Sequence, residues 1–397
     1  MKLTAAEERL RRAIESRRDL LLEDLRLHVG LPTGGFNTGA LDEARGLLTE
    51  RAARLGATVE AVPGDPKPAW LLGGAGHAIP PTAVCRRERG TLGRILIAGH
   101  LDTVHDPNGD FRELSIRPDG KTATGPGCVD MKGGLVIAIH ALEALEECGI
   151  DASWTFLLNS DEETGSYHSE RALRAEAARH EFGLALEPAL PGGELVVERL
   201  GSGQFMIECH GRSAHVGRDF AQGVSAVTKL AECLIEVARI PDPAAGRIAS
   251  VGPLRGGDAT NAVPDLARAW GNARFPTKQV ADEIESSLRR LETPADALPS
   301  VRVETSFNRP AKPLTPPVEA LALRARAAAE ALGQSLPFAK TGGVCDGNIL
   351  QDEGLPTIDT LGVRGGGLHT RGEWIELASL VERCQLLAVL IGRLGVG

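Results

Sequence analysis

The sequence predicts an α/β protein with a mostly parallel central sheet flanked by helices and an α+β domain inserted into it. The chain of 397 residues is longer than one hydrophobic core usually supports, which favours two domains. In the first half, short apolar runs alternate with helical segments, as they do in parallel α/β sheets. The middle of the chain breaks this alternation, and its strand-like segments with two helices indicate an α+β insertion.

Helices are predicted at about residues 4–28 and at 39–55, where apolar residues recur at helical spacing and stop near Gly56. A further helix is predicted over residues 133–148. Short apolar runs predict buried strands at residues 94–98, 154–158 and 182–186. In sheets of this kind, ligands bind beyond the carboxyl ends of the strands. Polar residues that directly follow a strand are therefore functional candidates.

The inserted domain is predicted over residues 204–309, and the main domain over residues 1–203 and 310–397. Proline-rich residues 310–317 mark the return of the chain to the main domain. The insertion has predicted strands at 205–211 and 267–275 and predicted helices near 221–238 and 278–292. The main domain is predicted to end with a helix near 318–332, a strand at 356–361 and a helix near 376–394.

Charge and composition argue against several classes of protein. The formal charge of −9 does not favour nucleic acid binding. No apolar stretch approaches the roughly 18 residues that span a bilayer, and the N-terminus has no signal-peptide core, so no membrane contact is expected. Seven cysteines stand singly, without the spacing of a disulfide framework or a CxxC clip. We therefore expect a cytoplasmic protein with reduced cysteines.

Two candidate residues follow the first buried strand. His100 and Asp102 come directly after the run at residues 94–98 and Gly99. A neutral imidazole binds zinc, and a carboxylate two residues later can accept its other N–H and fix the orientation of the ring. The pair therefore indicates a metal ligand with its orienting group.

Acidic residues in two further segments each have two interpretations. Asp130 lies in a turn rich in glycine and proline before a predicted helix, where it would bridge two cations or, alternatively, cap the helix. Glu162 and Glu163 follow the strand at 154–158, where adjacent acids repel one another unless a cation neutralises them. A metal ligand beside a general base resolves that conflict, and a solvated loop is the alternative.

Two last candidates complete the set. Glu187 follows the third buried strand, and His369 lies in a glycine-rich loop. The five predicted ligands are thus His100, Asp130, Glu163, Glu187 and His369. Two histidines and three acids at one edge of a sheet are suited to two metal ions that share one carboxylate. Glu162 is then the spare acid beside them.

These motifs, in this order, make the chain resemble the co-catalytic di-zinc metallopeptidases and amidohydrolases, the family of carboxypeptidase G, acetylornithine deacetylase, succinyl-diaminopimelate desuccinylase and aminoacylase. The resemblance runs from about residue 40 to the end and implies a zinc-exopeptidase-like fold. It implies that one metal ion binds His100 and Glu187, that the other binds Glu163 and His369, and that Asp130 bridges them. It also implies that Asp102 orients His100, that Glu162 is the general base, and that the peptide bond after Asp130 is cis.

By the same resemblance, the inserted domain is a lid and dimerisation domain. His215 would reach the site of a partner subunit and polarise the scissile carbonyl, whereas without the resemblance it is a surface histidine. The candidate substrate-binding residues are Asn261, Arg274, Arg309, Gly342 and Gly343. Either arginine suits a substrate carboxylate, which a guanidinium binds bidentately. A phosphate cradle at the two glycines is disfavoured, because no lysine follows them.

The resemblance therefore implies hydrolysis of an amide bond with two divalent metal ions, zinc by preference, although Co²⁺ or Mn²⁺ would fit the same ligands. The local sequence of residues 160–166 resembles carboxypeptidase G in particular, which implies release of a C-terminal residue such as glutamate. The basic residue that selects glutamate in that enzyme has no match near residues 195–198. An N-acyl amino acid deacylase and a noncatalytic binding protein are the alternatives. The expected partners are a small molecule or short peptide with a free carboxylate, and a second copy of the chain in a homodimer.

Overall fold

The computed structural model describes residues 2–35, 37–73, 78–89 and 93–395. The helices are α1 (Ala5–Glu15), α2 (Arg18–Gly30), α3 (Thr38–Arg54), α4 (Gly133–Glu147), α5 (Glu170–Ala177), α6 (Ala226–Val237), α7 (Lys278–Arg289), α8 (Pro316–Ala331), α9 (Asp346–Asp352) and α10 (Ala378–Gly395).

The longer strands, with their short neighbours, are β1 (Thr58–Val62), β2 (Thr82–Arg87), β3 (Ile95–His100), β4 (Ser115–Ile116), β5 (Thr122–Thr124), β6 (Trp154–Asn159), β7 (Phe182–Ala185), β8 (Leu195–Arg199), β9 (Gly201–His210), β10 (Ala214–His215), β11 (Ile248–Gly256), β12 (Ala262–Val263), β13 (Leu266–Phe275), β14 (Ser300–Arg309), β15 (Phe338–Thr341), β16 (Thr357–Ile358), β17 (Gly365–Gly366) and β18 (Trp374–Glu376).

The central sheet has the strand order β1-β2-β6-β3-β7-β16. Strand β3 runs parallel to both β6 and β7, β16 runs parallel to β7, and β1 and β2 form an antiparallel edge. Successive residues of β3 point to opposite faces. Ile95 and Ile97 join the core beneath α4 and α10, while Leu96 and Ala98 join the core beneath α5 and α9. The predicted mostly parallel sheet flanked by helices is confirmed.

Two of the differences between the structure and the prediction in the main domain have a local cause. The helix predicted over residues 4–28 is two helices, because Ser16 ends α1 with its backbone N–H on the carbonyl of Arg12. Strand β2 was not predicted, since its two arginines interrupt the apolar pattern. Both arginines are paired: Arg86 contacts Glu176, and Arg87 contacts Glu146.

The middle of the chain folds as an antiparallel sheet of order β11-β13-β9-β14. Residues at alternate positions of β9, Phe205 and Ile207, pack with helices α6 and α7 in a core of their own. On β9 and β13, residues such as Gln204 and Arg274 have the opposite parity and point away from this core. One face of this sheet is therefore free to contribute to a site shared with the main domain.

Parallel strands place the functional candidates together. The carboxyl ends of β3, β6 and β7 lie side by side, since His100 is opposite Asn159 and Ala98 is opposite Ala185. The segments that begin with Leu101, Ser160 and Leu186 therefore leave the same edge of the sheet. A scan of the helices in the described part of the chain finds none with the length and apolarity that crossing a membrane requires.

Candidate metal centre and active site

The edge of the central sheet brings all five predicted ligands together. His100, Asp130 and Glu187 offer ligand atoms that all lie within 4.8 Å of one another, and Asp130, Glu163 and His369 form a second such group. Asp130 is the member common to both groups. The arrangement is therefore that of two neighbouring cation positions with one shared carboxylate.

The distances show how Asp130 divides its two oxygens. Its Oδ1 lies 3.3 Å from Nε2 of His100, and its Oδ2 lies 3.5 Å from Nε2 of His369. The same nitrogen of His369 is 3.3 Å from Oε2 of Glu163. Each oxygen of Asp130 thus serves a different histidine, as a bridging ligand must.

The charges and the unpaired buried atoms of this cluster are those of a site suited to binding cations. Nε2 of His100 and Oδ1 of Asp130 are buried without a hydrogen-bond partner among the described residues, which is costly unless another group satisfies them. The carboxylates of Asp130 and Glu163 raise the pKa of His369 to about 10. Burial opposes protonation of His100, yet Asp102 and Asp130 raise its pKa well above the ordinary value. A site that draws protons so strongly also attracts metal ions, and imidazole with carboxylate ligands suits zinc, cobalt or manganese.

An irregular stretch of backbone positions the side chain of Asp130. The residue has non-helical dihedral angles, and the predicted cis peptide bond between Asp130 and Met131 is confirmed. The alternative that Asp130 caps the following helix is wrong, because Lys132 occupies the N-cap position of α4. His369, at φ 60°, is one of the few non-glycine residues in the left-handed region, where backbone strain is accepted mainly at functional sites.

A buried acid that the sequence did not single out holds the Asp130 loop. The side chain of Glu373 accepts hydrogen bonds from the backbone N–H groups of Gly127, Val129 and Asp130, at 2.9, 2.9 and 3.0 Å. It also lies 2.6 Å from Nε2 of His105. Glu373, directly before β18 in the C-terminal segment, therefore fixes the bridging ligand.

Asp102 lies beside His100 as predicted, but its contacts differ from the prediction. Nδ1 of His100 is 2.9 Å from the backbone carbonyl of Asp102 and 3.5 Å from its carboxylate. The carboxylate instead accepts the backbone N–H groups of Glu162 and Glu163, at 3.2 and 2.9 Å. Asp102 thus orients the histidine through its main chain and the acidic segment through its side chain.

Glu162 is buried beside the ligands and pairs with Arg309. Burial raises the pKa of Glu162 to about 7, while the nearby guanidinium acts in the opposite direction. Arg309 donates to Oε1 of Glu162 at 2.7 Å, to the carbonyl of Glu162 at 3.0 Å and to Oγ of Ser166 at 2.6 Å. Arg309 thus holds the acid that was predicted to be the base, while its Nε is buried without a partner among the described residues. Its role as a fork for a substrate carboxylate stays a prediction.

A cavity of about 610 Å³ opens next to the cluster. Asp130, Glu162, Glu163, Glu187 and His369 line it from the main domain. Arg274 lines it from β13, and its Nη1 is buried without a partner among the described residues. Gly343 also lines the cavity and accepts a hydrogen bond from Arg199 at 3.1 Å, whereas Gly342 is not among the lining residues.

Two of the predicted site residues lie elsewhere. His215 and Asn261 are exposed in the middle sheet domain, on or next to the short pair β10 and β12. The backbone N–H of Val216 donates to the carbonyl of Asn261 at 3.0 Å, so the two residues are close to each other. Neither lines the cavity within this chain.

Comparison with known proteins identifies the family. Residues 96–393 match the family model described as peptidase family M20/M25/M40. The chain belongs to this family. The predicted resemblance is confirmed, and this M20 chain is a metallohydrolase that acts on amide bonds.

Relatives of this M20 chain have different activities. It is 28% identical over 312 residues to carboxypeptidase G2 of Pseudomonas sp. strain RS-16, which covers 76% of this chain and 74% of the relative. It is 30% identical over 318 residues to the succinyl-diaminopimelate desuccinylase of Methylorubrum populi, with 73% and 80% covered. The comparison thus supports the hydrolase class and leaves two substrate classes open.

Solved structures of M20 proteins share the fold. Aminopeptidase PepT of Bacillus cereus superposes with a TM-score of 0.73 at 24% identity, covering 95% of this chain and 98% of that one. The YXEP protein of Bacillus subtilis, described as a dinuclear metal binding peptidase, gives 0.66 at 15% identity, covering 96% and 99%. The M20 family binds two metal ions, and the two ligand groups of this chain are its candidates for that site.

Proposed function

We propose that this chain is a carboxypeptidase-type M20 hydrolase that uses zinc to release a C-terminal residue from a short peptide or an acylated amino acid. One observation carries the proposal: the cavity beside the ligand cluster is also lined by Arg274, whose buried Nη1 has no partner among the described residues. A guanidinium in this state suits the free carboxylate of a substrate. The similarity to carboxypeptidase G2 gives independent support.

Arg274 and the five ligands would have separate roles in hydrolysis. Arg274 would hold the terminal carboxylate and so set the position of the scissile amide relative to Glu162. His100, Asp130, Glu163, Glu187 and His369 would hold the two metal ions. When bound, such ions polarise a carbonyl and make a water molecule more acidic.

Glu162 would be the general base. It lines the cavity, and Arg309 fixes one of its oxygens, which leaves the other to accept a proton from the attacking water. The same carboxyl group would then deliver that proton to the leaving amine.

A panel of substrates tests the proposal. Protein loaded with metal is given dipeptides with a free C-terminus, the same dipeptides with an amidated C-terminus, and N-acetyl and N-succinyl amino acids. We expect the free dipeptides to be cleaved, the amidated ones to be poor substrates, and a chelator to stop the reaction.

A deacylase is the second candidate, supported by the similarity to the desuccinylase. Preferential cleavage of N-acetyl or N-succinyl compounds would replace the carboxypeptidase proposal by this one. Efficient cleavage of amidated peptides would show that a substrate carboxylate is not required.

We further propose that the chain works as a homodimer in which His215 serves the site of the partner subunit. His215 is exposed and does not line the cavity of its own chain, although it belongs to the motif that the family resemblance assigns to transition-state binding. The identity of the metal is also a proposal. Imidazole and carboxylate ligands suit manganese and cobalt as well, and we propose zinc.

Subunit mixing tests the role of His215. His215→Ala and Glu162→Gln proteins are each expected to be nearly inactive. After subunit exchange, a mixed dimer has one site with both residues intact, so an equal mixture should recover about a quarter of the wild-type activity. Mixing His215→Ala with the double variant is the control and should recover nothing. Mixed dimers without recovered activity would contradict the proposal.

A further inference from the structure

The cavity holds a cation that the mechanism does not use. Among the described residues, the lysine and arginine side chains that line it are Lys67, Arg274 and Arg309. Arg309 is neutralised by Glu162 at 2.7 Å. Arg274 and Lys67 form no salt bridge with any described acidic side chain. The cavity therefore has two separate positive groups that a substrate can meet.

Lys67 is placed in the cavity wall by its contacts. Its Nζ donates to the backbone carbonyls of Leu72 at 3.3 Å and Gly73 at 3.0 Å, and it lies 5.9 Å from the centre of the Tyr167 ring. An ammonium group has three N–H donors, so one remains for a ligand. Lys67 is half-buried, and this burial lowers its pKa.

The loop that carries Lys67 is attached at both sides of the cavity. The indole N–H of Trp270, on β13, donates to the carbonyl of Trp70 at 2.7 Å. The backbone N–H of Gly64 donates to His168 at 3.2 Å, in the segment that follows Glu162. Tyr167, over which Lys67 lies, belongs to that same segment. Lys67 is thus held next to the catalytic segment by contacts with both domains.

We propose that Lys67 selects an acidic C-terminal residue by binding the carboxylate of its side chain, while Arg274 binds the α-carboxylate. This inference rests on the proposed carboxypeptidase function. Two cations on one cavity that form no salt bridge with a described acidic side chain match the two carboxylates of glutamate or aspartate, whereas a neutral side chain would offer Lys67 no charged partner.

Matched substrates test the role of Lys67. The kcat/KM values of N-acetylalanyl-glutamate, -aspartate and -glutamine are compared for the wild type, Lys67→Met and Lys67→Arg. Glutamine has nearly the shape of glutamate without the charge. We expect the wild type to prefer the acidic peptides, and Lys67→Met to lose about 10- to 100-fold on them, mainly through KM, with glutamine nearly unchanged. Lys67→Arg should keep most of the preference.

A charge reversal and a surface control sharpen the test. Lys67→Glu is expected to reverse the preference toward a C-terminal lysine. Lys278→Met, at an exposed position on α7, should leave all the ratios unchanged. An unchanged ratio of glutamate to glutamine in Lys67→Met, or an equal loss on both peptides, would overturn the assignment, since a purely structural role of the lysine affects every substrate alike.

Binding of the free amino acids separates this inference from the proposed function. Calorimetry with glutamate and glutamine is carried out on wild-type and Lys67→Met protein, both loaded with metal. Glutamate binding that depends on Lys67, in a protein that cleaves none of the peptides, would support the Lys67 assignment and overturn the carboxypeptidase function alone. Glutamate binding that does not depend on Lys67 would overturn the Lys67 assignment whatever the turnover.

Discussion

Replacing Glu162 by Gln is expected to lower kcat by roughly 10³-fold, a typical contribution of a general acid–base group. The amide keeps the shape of the side chain and can still accept the hydrogen bond from Arg309, so the segment should stay in place. It cannot take a proton from water. Because Glu162 belongs to neither ligand group, the variant should bind the same amount of metal as the wild type.

The measurement combines steady-state kinetics with metal analysis by mass spectrometry. Glu170→Gln is the matched control, because Glu170 lies on α5 and its carboxylate pairs with Arg174 and does not line the cavity. It should keep wild-type kcat. Near-normal turnover in Glu162→Gln, with two metal ions bound, would show that another group is the base.

Replacing Asp130 by Ala is expected to remove both metal ions and to reduce activity below detection. Asp130 is the residue that both ligand groups share, so its loss leaves each cation position with two of its three protein ligands. The four remaining ligands are one histidine and one glutamate at each position: His100 with Glu187, and His369 with Glu163. Metal affinity should therefore fall at both positions rather than at one.

Glu187→Gln provides the comparison for Asp130→Ala. Glu187 belongs only to the group of His100, so this variant should keep one metal ion per chain under conditions in which Asp130→Ala keeps none. Equilibrium dialysis against zinc followed by metal analysis distinguishes the two patterns. Two tightly bound ions in Asp130→Ala would contradict its role as the bridge.

Most of the ligand cluster could be predicted because it follows from local sequence patterns. His100 and Glu187 come directly after apolar strands, and in a parallel sheet the ends of such strands meet at one edge. Asp130 lies in a turn rich in glycine and proline, and Glu163 lies next to another acid. Both patterns indicate a functional site. The family resemblance then added the assignment of ligands to each metal ion.

The residues that support the cluster could not be predicted in this way. Glu373 is 243 residues from Asp130 in the sequence, and its contact depends on the pairing of β18 with β5. Arg309 was predicted to bind a substrate carboxylate, and nothing in the neighbouring sequence indicates that its side chain reaches Glu162. Lys67 lies in a loop without periodicity, and only tertiary contacts, with Tyr167 and across the shared cavity, relate it to the catalytic segment. Each of these roles depends on tertiary contacts between distant segments.

The measurement that tests the central claim most directly is titration of zinc into chelator-treated protein, with release of the C-terminal amino acid from an N-acylated dipeptide as the signal. The account predicts no release without metal, a rise in activity as zinc is added, and full activity when two ions are bound per chain. Turnover in the metal-free protein, or two bound ions without hydrolysis of any amide substrate, would contradict it.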